Sequence, residues 1–283
     1  MMFDNTNIIV KKVYSDKNSK DIHRIHSNDG HELYLLIQGD VSFSINGSIY
    51  KIMPNDVLII NNNELHKTIV NKEVPHERIY IYFDAEYISK FNRTGYDLLQ
   101  MFENRRHGFG NRIHGNLTCE YNLRTYFEEI YEWYQSDEPQ KQIMIVSILL
   151  QLLVKINTIC LTNRETEDEI KKDVEYNQKI YEIIRYISSN LDRKITLDSL
   201  EKKFYIDKFY LCHLFKDITG YSVLEYINYK RILSAKEEIK KGKSISNIWI
   251  QYGYANYSSF YRTFKKYAGM APLMFANGVN EKI

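Results

Sequence analysis

Three side chains in the first 70 residues have the types needed to hold a metal. His26, Glu32 and His66 supply the two imidazoles and one carboxylate that bind ferrous iron in oxygenases. The same groups can instead hydrogen-bond a polar ligand, with Tyr34, Tyr80 and Tyr82 as stacking or hydrogen-bonding walls. A third reading has Glu32 and His66 satisfying buried backbone groups at strand ends. His31 is a poor substitute ligand, because as the neighbour of Glu32 it faces the other side of a strand. Near the other end, Arg262 offers the planar fork that matches guanine O6 and N7. No Gly-rich phosphate loop, Ser-centred nucleophile elbow or paired catalytic carboxylate accompanies these residues, so no catalytic set is assigned. Cys119, Cys160 and Cys212 lack metal or redox spacing, and Arg105-Arg106-His107 reads as a solvated or loop-ordering basic cluster.

The elements that would position these groups fall into two kinds. From about 8 to 90 the chain reads as short strands, including Glu32–Ile37, Val41–Ile45, Ser48–Ile52, Val57–Ile60 and Arg78–Phe83. Asn46-Gly47 between alternating segments is a hairpin signal. Strands so spaced predict an antiparallel barrel or sandwich. From about 94 the period becomes helical, with Leu117–Trp133 and Gln142–Leu161 as two helices. The second is apolar over most of its circumference and should be sandwiched, within its domain or against a second subunit. Residues 166–178 are polar and read as a linker.

The remaining hundred residues contain an internal repeat with an offset of 49. Asp207 falls on Asn256, Leu211 on Phe260, His213 on Arg262, Phe215-Lys216 on Phe264-Lys265 and Gly220 on Gly269. Each copy reads as a short amphipathic helix, a turn, an N-cap (Asp207, Asn256) and a second helix closed by glycine. Val223–Lys241 is the helix that joins the copies. A second helix of this kind presents its outward N-terminal residues to a major groove while basic residues touch phosphate. The outward set is Lys208, Phe209, Cys212, His213 and Lys216 in the first copy, and Tyr257, Ser258, Ser259, Arg262 and Lys266 in the second. A helical bundle with a merely basic surface is the bland alternative, and the shared caps and Phe-Lys pairs argue against it.

The segment from about 178 to 280 resembles the AraC/XylS-type transcription regulators. The matching residues are Ile195-Thr196-Leu197, Leu211…Leu214-Phe215-Lys216…Thr219-Gly220, Tyr252-Gly253-Tyr254, Phe260…Arg262…Phe264-Lys265-Lys266 and Gly269-Met270-Ala271-Pro272. The resemblance implies a seven-helix, all-α domain whose two recognition helices enter successive major grooves, about 34 Å apart. The sequence departs from the family at Glu201 and Trp249, where small residues are common, and at His213, where Arg is frequent. These departures place more weight on the second motif as the base reader. The stretch His26…Glu32-Leu33-Tyr34…Gly39-Asp40…Gly47…Tyr50…Pro54-Asn55-Asp56…Glu64-Leu65-His66 resembles the cupin-like effector barrel of the same regulators. A metal-binding cupin would carry His at Asn28 and Gly at Asn55, so a resident metal is not expected.

Bulk properties fit this division. At 283 residues the chain suits two domains. Residues 1–178 hold 20 Lys and Arg against 26 Asp and Glu, a net of −6, whereas 179–283 hold 18 against 10, a net of +8. Only the second part is expected to meet a polyanion. Gln151, Lys155 and Asn157 interrupt the longest apolar run, so no membrane span is expected, and no secretory signal is seen. The cysteine usage points to a reduced, cytoplasmic setting.

The resulting expectation is an α+β multidomain chain. It comprises a cupin-like effector and dimerisation domain at 1–165, a linker at 166–178 and a DNA-binding domain at 179–283. The expected partners are double-stranded promoter DNA, a small-molecule effector (a sugar on the family resemblance), a second copy of the chain and, for an activator, RNA polymerase. No cofactor is expected. The alternatives are a metal-dependent cupin enzyme fused to a DNA-binding domain, and a DNA-binding regulator that needs no ligand.

Overall fold

Alternating side-chain parity builds the first half. The computed structural model describes residues 7–16, 30–62, 64–71, 73–93, 95–105, 108–162 and 175–280, which divide into two compact units, Met1–Tyr176 and Asn177–Ile283. The first unit has nine strands among the described residues: β1 Ile8–Ser15, β2 His31–Gln38, β3 Val41–Ile45, β4 Ser48–Ile52, β5 Val57–Ile60, β6 His66–Val70, β7 His76–Phe83, β8 Arg112–Ile113 and β9 Glu175–Tyr176. Antiparallel pairing gives one sheet in the order β1-β7-β2-β5-β8 and another in the order β6-β3-β4-β9. Asn46 and Gly47, both at positive φ, turn β3 into β4 as the hairpin signal requires.

The expected barrel is not closed. Among the described residues no strand ladder joins the two sheets, which face each other as a sandwich. Where the chain crosses from β5 to β6, side chains take over part of the hydrogen bonding. The amide of Asn61 donates to Glu64, and that of Leu65 to the Asn46 side chain.

Between the sheets lie Tyr34, Leu36, Phe43, Ile45, Tyr50, Ile52, Leu58 and Ile60. The opposite face of the five-stranded sheet carries Leu33, Leu35, Val57, Ile59, Ile79 and Ile81, and helices cover it. Those helices are α1 Ala85–Ser89, α2 Gln100–Glu103, α3 Gly115–Glu120, α4 Leu123–Gln135 and α5 Lys141–Thr162. The single helix expected over Leu117–Trp133 is broken, because Asn122 takes the left-handed conformation (φ 55°) between α3 and α4. By length and composition α5 could cross a membrane, which the sequence reading did not expect. Eight of its residues from Ile145 to Ile159 are buried against the sheet and α4, as in the core helix of a folded domain. Two of its polar interruptions are used inward: Asn157 donates to the carbonyl of Asp97 and Lys155 to that of Tyr121.

The second unit is all-helical, with seven helices among the described residues: α6 Gln178–Ser188, α7 Leu197–Phe204, α8 Lys208–Thr219, α9 Val223–Lys240, α10 Ile245–Gln251, α11 Tyr257–Ala268 and α12 Pro272–Asn280. Of the region read as a linker, 166–178, residues 166–174 lie outside the described residues. Of the rest, Glu175–Tyr176 pair with β4 and Asn177 caps α6.

Candidate functional site

The repeat folds as two helix-turn-helix units, α7–α8 and α10–α11, with α9 between them. Asp207 accepts from the amides of Phe209 and Tyr210 (3.0 and 2.9 Å), and Asn256 from that of Ser259 (2.9 Å). These caps satisfy amides that the helix itself leaves open, and so fix where α8 and α11 begin. Gly220 and Gly269, at φ 75° and 76°, end both helices in the left-handed conformation. Leu211 and Phe215 of α8, and Phe260 and Phe264 of α11, are fully buried.

The outward residues follow from that anchoring. Phe209, His213 and Lys216 are exposed at i, i+4 and i+7 of α8, and Ser258, Arg262 and Lys265 occupy the equivalent stripe of α11. Tyr257 and Lys266 are also exposed. Three of the expected contact residues are less open, since Lys208, Cys212 and Ser259 are half-buried. The Lys208 ammonium lies 3.0 Å from Asp198 and is held more strongly protonated by that hydrogen bond. Lys265 was absent from the expected contact set, although the repeat pairs it with Lys216.

Glu201, one of the departures from the family, has a local purpose. Its carboxylate accepts the backbone amide of Lys208 (3.1 Å), tying α7 to the start of α8. Trp249 is half-buried on α10. On α9, Arg231 is buried and donates to the carbonyls of Leu191 and Arg193 (3.0 and 2.6 Å), with its guanidinium 5.9 Å from the Tyr254 ring centre. One side chain thus touches the chain before the first motif and the turn of the second.

In the first unit, register brings the expected ligand residues together. Glu32 stands opposite Tyr82, and Tyr34 opposite Tyr80, across the β2–β7 ladder. His66, from the other sheet, places Nε2 3.0 Å from the Glu32 carboxylate, and its Nδ1 lies 3.0 Å from the carbonyl of Glu64. Burial works against the His66 imidazolium, but Glu32 and the carbonyl outweigh it and raise the pKa above the ordinary histidine value. Tyr80 and Tyr82 meet edge to face at 5.0 Å, and Tyr34 meets Phe43 at 4.6 Å. His26 lies outside the described residues. Among the described residues no group of three or more His, Cys, Asp or Glu is placed to hold a metal.

The sequence reading missed a polar chain beside this wall. The Tyr34 hydroxyl is 2.7 Å from His76 Nε2, His76 Nδ1 is 3.2 Å from Arg78, and Arg78 donates to Ser15 (2.9 Å). Arg78 shares the inward parity of Tyr80 and Tyr82, the one signal that could have found it. His31 faces the helices, as its parity requires, stacked on Phe102 at 4.5 Å. Burial and the Arg105 charge lower its pKa to about 3. The basic cluster at 105–107 is not simply solvated, because Arg105 is paired with buried Glu64. Arg106 and His107 lie outside the described residues.

Comparison with known proteins matches both units. A model described as "Helix-turn-helix domain" covers residues 200–278, and one described as "AraC-like ligand binding domain" covers 13–153. The uncharacterised HTH-type transcriptional regulator YdiP of Escherichia coli is 24% identical over 88% of this chain and 79% of its own length. The probable transcription factor PqrA of Proteus vulgaris is 30% identical over 34% of this chain and 81% of its own length. Among solved structures, apo ToxT from Vibrio cholerae aligns over 96% of this chain and 97% of its own, at 13% identity and a TM-score of 0.38. With an AraC-like ligand-binding domain ahead of a paired helix-turn-helix domain, the chain belongs to the AraC family of DNA-binding transcription regulators.

Proposed function

We propose that this regulator is a ligand-responsive activator acting at promoter DNA through both reading stripes, with Arg262 as the principal base reader. The observation that carries this reading is the α11 stripe: Ser258, Arg262 and Lys265 project together from a helix whose start and end are fixed by Asn256 and Gly269. Tyr257, Ser259 and Lys266 flank it, while Lys208, Phe209, Cys212, His213 and Lys216 form the corresponding surface of α8. The effector lies between the sheets, against Glu32, Tyr34, His66, Tyr80 and Tyr82, with His26 as a further contact. A wall of phenols beside a carboxylate–imidazole pair suits a polyhydroxylated molecule such as a sugar.

Two copies pair through α4 and α5, the latter exposing the apolar Ile143, Val154 and Leu161. The paired protein contacts RNA polymerase from the promoter. It catalyses no reaction, and its three free cysteines suit the cytoplasm.

The test is a gel shift of the full chain on duplexes from its own genomic neighbourhood. Arg262→Ala is expected to weaken cognate binding by roughly 1–3 kcal/mol and to shrink the gap between cognate and scrambled duplexes. An unchanged gap removes Arg262 from the readers, and no shift at low salt overturns the regulator reading.

A further inference from the structure

The two reading stripes occupy equivalent positions of one repeated scaffold but present different chemistry. On α11 the stripe offers a hydroxyl, a guanidinium and an ammonium (Ser258, Arg262, Lys265), all groups that hydrogen-bond to base edges or phosphates. On α8 the equivalent positions are Phe209, His213 and Lys216. The whole of α8, KFYLCHLFKDIT, contains no Arg, Asn or Gln, and its only long basic side chains are Lys208 and Lys216. Its first lysine, Lys208, is turned onto Asp198 at 3.0 Å, with its ammonium 5.9 Å from the centre of the Phe209 ring.

Phe209 is 71% exposed in the first turn of the helix, and the Asp207 cap accepts its amide at 3.0 Å. An exposed phenyl ring at that place gains hydrophobic free energy when something apolar covers it. The floor of a major groove offers one such group, the C5-methyl of thymine. Half-buried Cys212, one turn along, extends the apolar edge, and exposed Lys216 at i+7 adds a positive charge to the same stripe. The excess of 18 Lys and Arg over 10 Asp and Glu across 179–283 complements a polyanion.

We propose that the first motif reads thymine, the Phe209 ring packing on the C5-methyl of a base in the half-site facing α8. His213 adds a single hydrogen bond, and the guanine-type contact is left to Arg262 on the second motif. This inference rests on the reading of α8 as a groove-facing helix.

The test deletes the methyl and nothing else. The full chain selects duplexes from a random-sequence pool, and the selected duplex is resynthesised with deoxyuridine at each thymidine in turn. One or two positions within one half of the site are expected to lose about fourfold in affinity, the equivalent of one buried methyl. In Phe209→Ala those same positions become insensitive, while the melting temperature is unchanged because the ring is exposed. Enrichment of a duplex that tolerates deoxyuridine everywhere overturns this proposal alone. So does a sensitivity profile shared by the native chain and Phe209→Ala. Phe209→Ala binding DNA normally but failing to activate transcription would place the ring against polymerase, which also overturns it. Failure to enrich any duplex would overturn the regulator reading itself.

Discussion

Glu64 ties the turn that begins at Asn61 to the distant stretch from Arg105 to Asn111. Its buried carboxylate takes both guanidinium arms of Arg105, the amides of Asn61 (2.9 Å) and Gly108 (2.6 Å), and the Asn111 side chain (3.0 Å). Burial alone would raise its pKa, but the Arg105 charge and these donors hold it down at about 2. A carboxyl whose folded pKa lies below its unfolded value adds stability above the unfolded value of 4.5, and that stability is lost as pH falls towards 2. The gap corresponds to about 3 kcal/mol. Urea unfolding at a series of pH values should therefore show Glu64→Gln less stable by about that amount at pH 7, with the two proteins converging between pH 4.5 and 2. Parallel curves across that window would deny Glu64 this role. The partner was not legible in the sequence, where Arg105 read as part of a solvated or loop-ordering basic cluster. The pair spans 41 residues, and no local pattern encodes such a contact. Glu32 with Tyr34, and Tyr80 with Tyr82, were easier, because parity within each strand puts each pair on one face.

At the scale of elements, the helix caps were legible because they are local. An Asp or Asn before an apolar-periodic run and a Gly after it announce α8 and α11 without reference to the rest of the chain. The break between α3 and α4 was not, since no Gly or Pro beside Asn122 announces its left-handed conformation. Whether two sheets close into a barrel also depends on ladders between distant strands, which turn signals do not report. One element carries a local cost. Tyr205, the residue that ends α7, sits at φ 50° and is 89% exposed. A side chain in that region costs about 1–2 kcal/mol, while glycine is tolerated there. Tyr205→Gly should raise the stability of the chain by about 1 kcal/mol, read as a higher denaturant midpoint with an unchanged slope. A lower midpoint would show that the ring contributes packing that outweighs the strain.

At the scale of the whole molecule, charge is divided between the units, −6 over residues 1–178 and +8 over 179–283. DNA binding should therefore weaken steeply with salt, as cationic side chains displace condensed counterions. Lys265→Ala should reduce the slope of log K against log salt by about 0.9 and weaken cognate and scrambled duplexes alike. A loss confined to the cognate duplex would instead make Lys265 a base reader. The effector is expected to act on the first unit. A sugar at 100 times its dissociation constant should add about 2.7 kcal/mol of stability, seen as a melting shift across a screen of mono- and oligosaccharides. Silence across the whole screen would remove sugars as the effector class.

The repeated scaffold carries its own consequence. Leu211, Phe215, Phe260 and Phe264 hold the two motifs together from within, while Phe209, His213, Ser258 and Arg262 face outward and belong to no core. If the outward stripes read bases as proposed, folding and address are written in separate residues. Mutation could then change the bases one motif prefers without unfolding it, while the sister motif goes on contacting DNA. A duplicated reader of this kind is a mechanism for evolving new binding sites one half at a time.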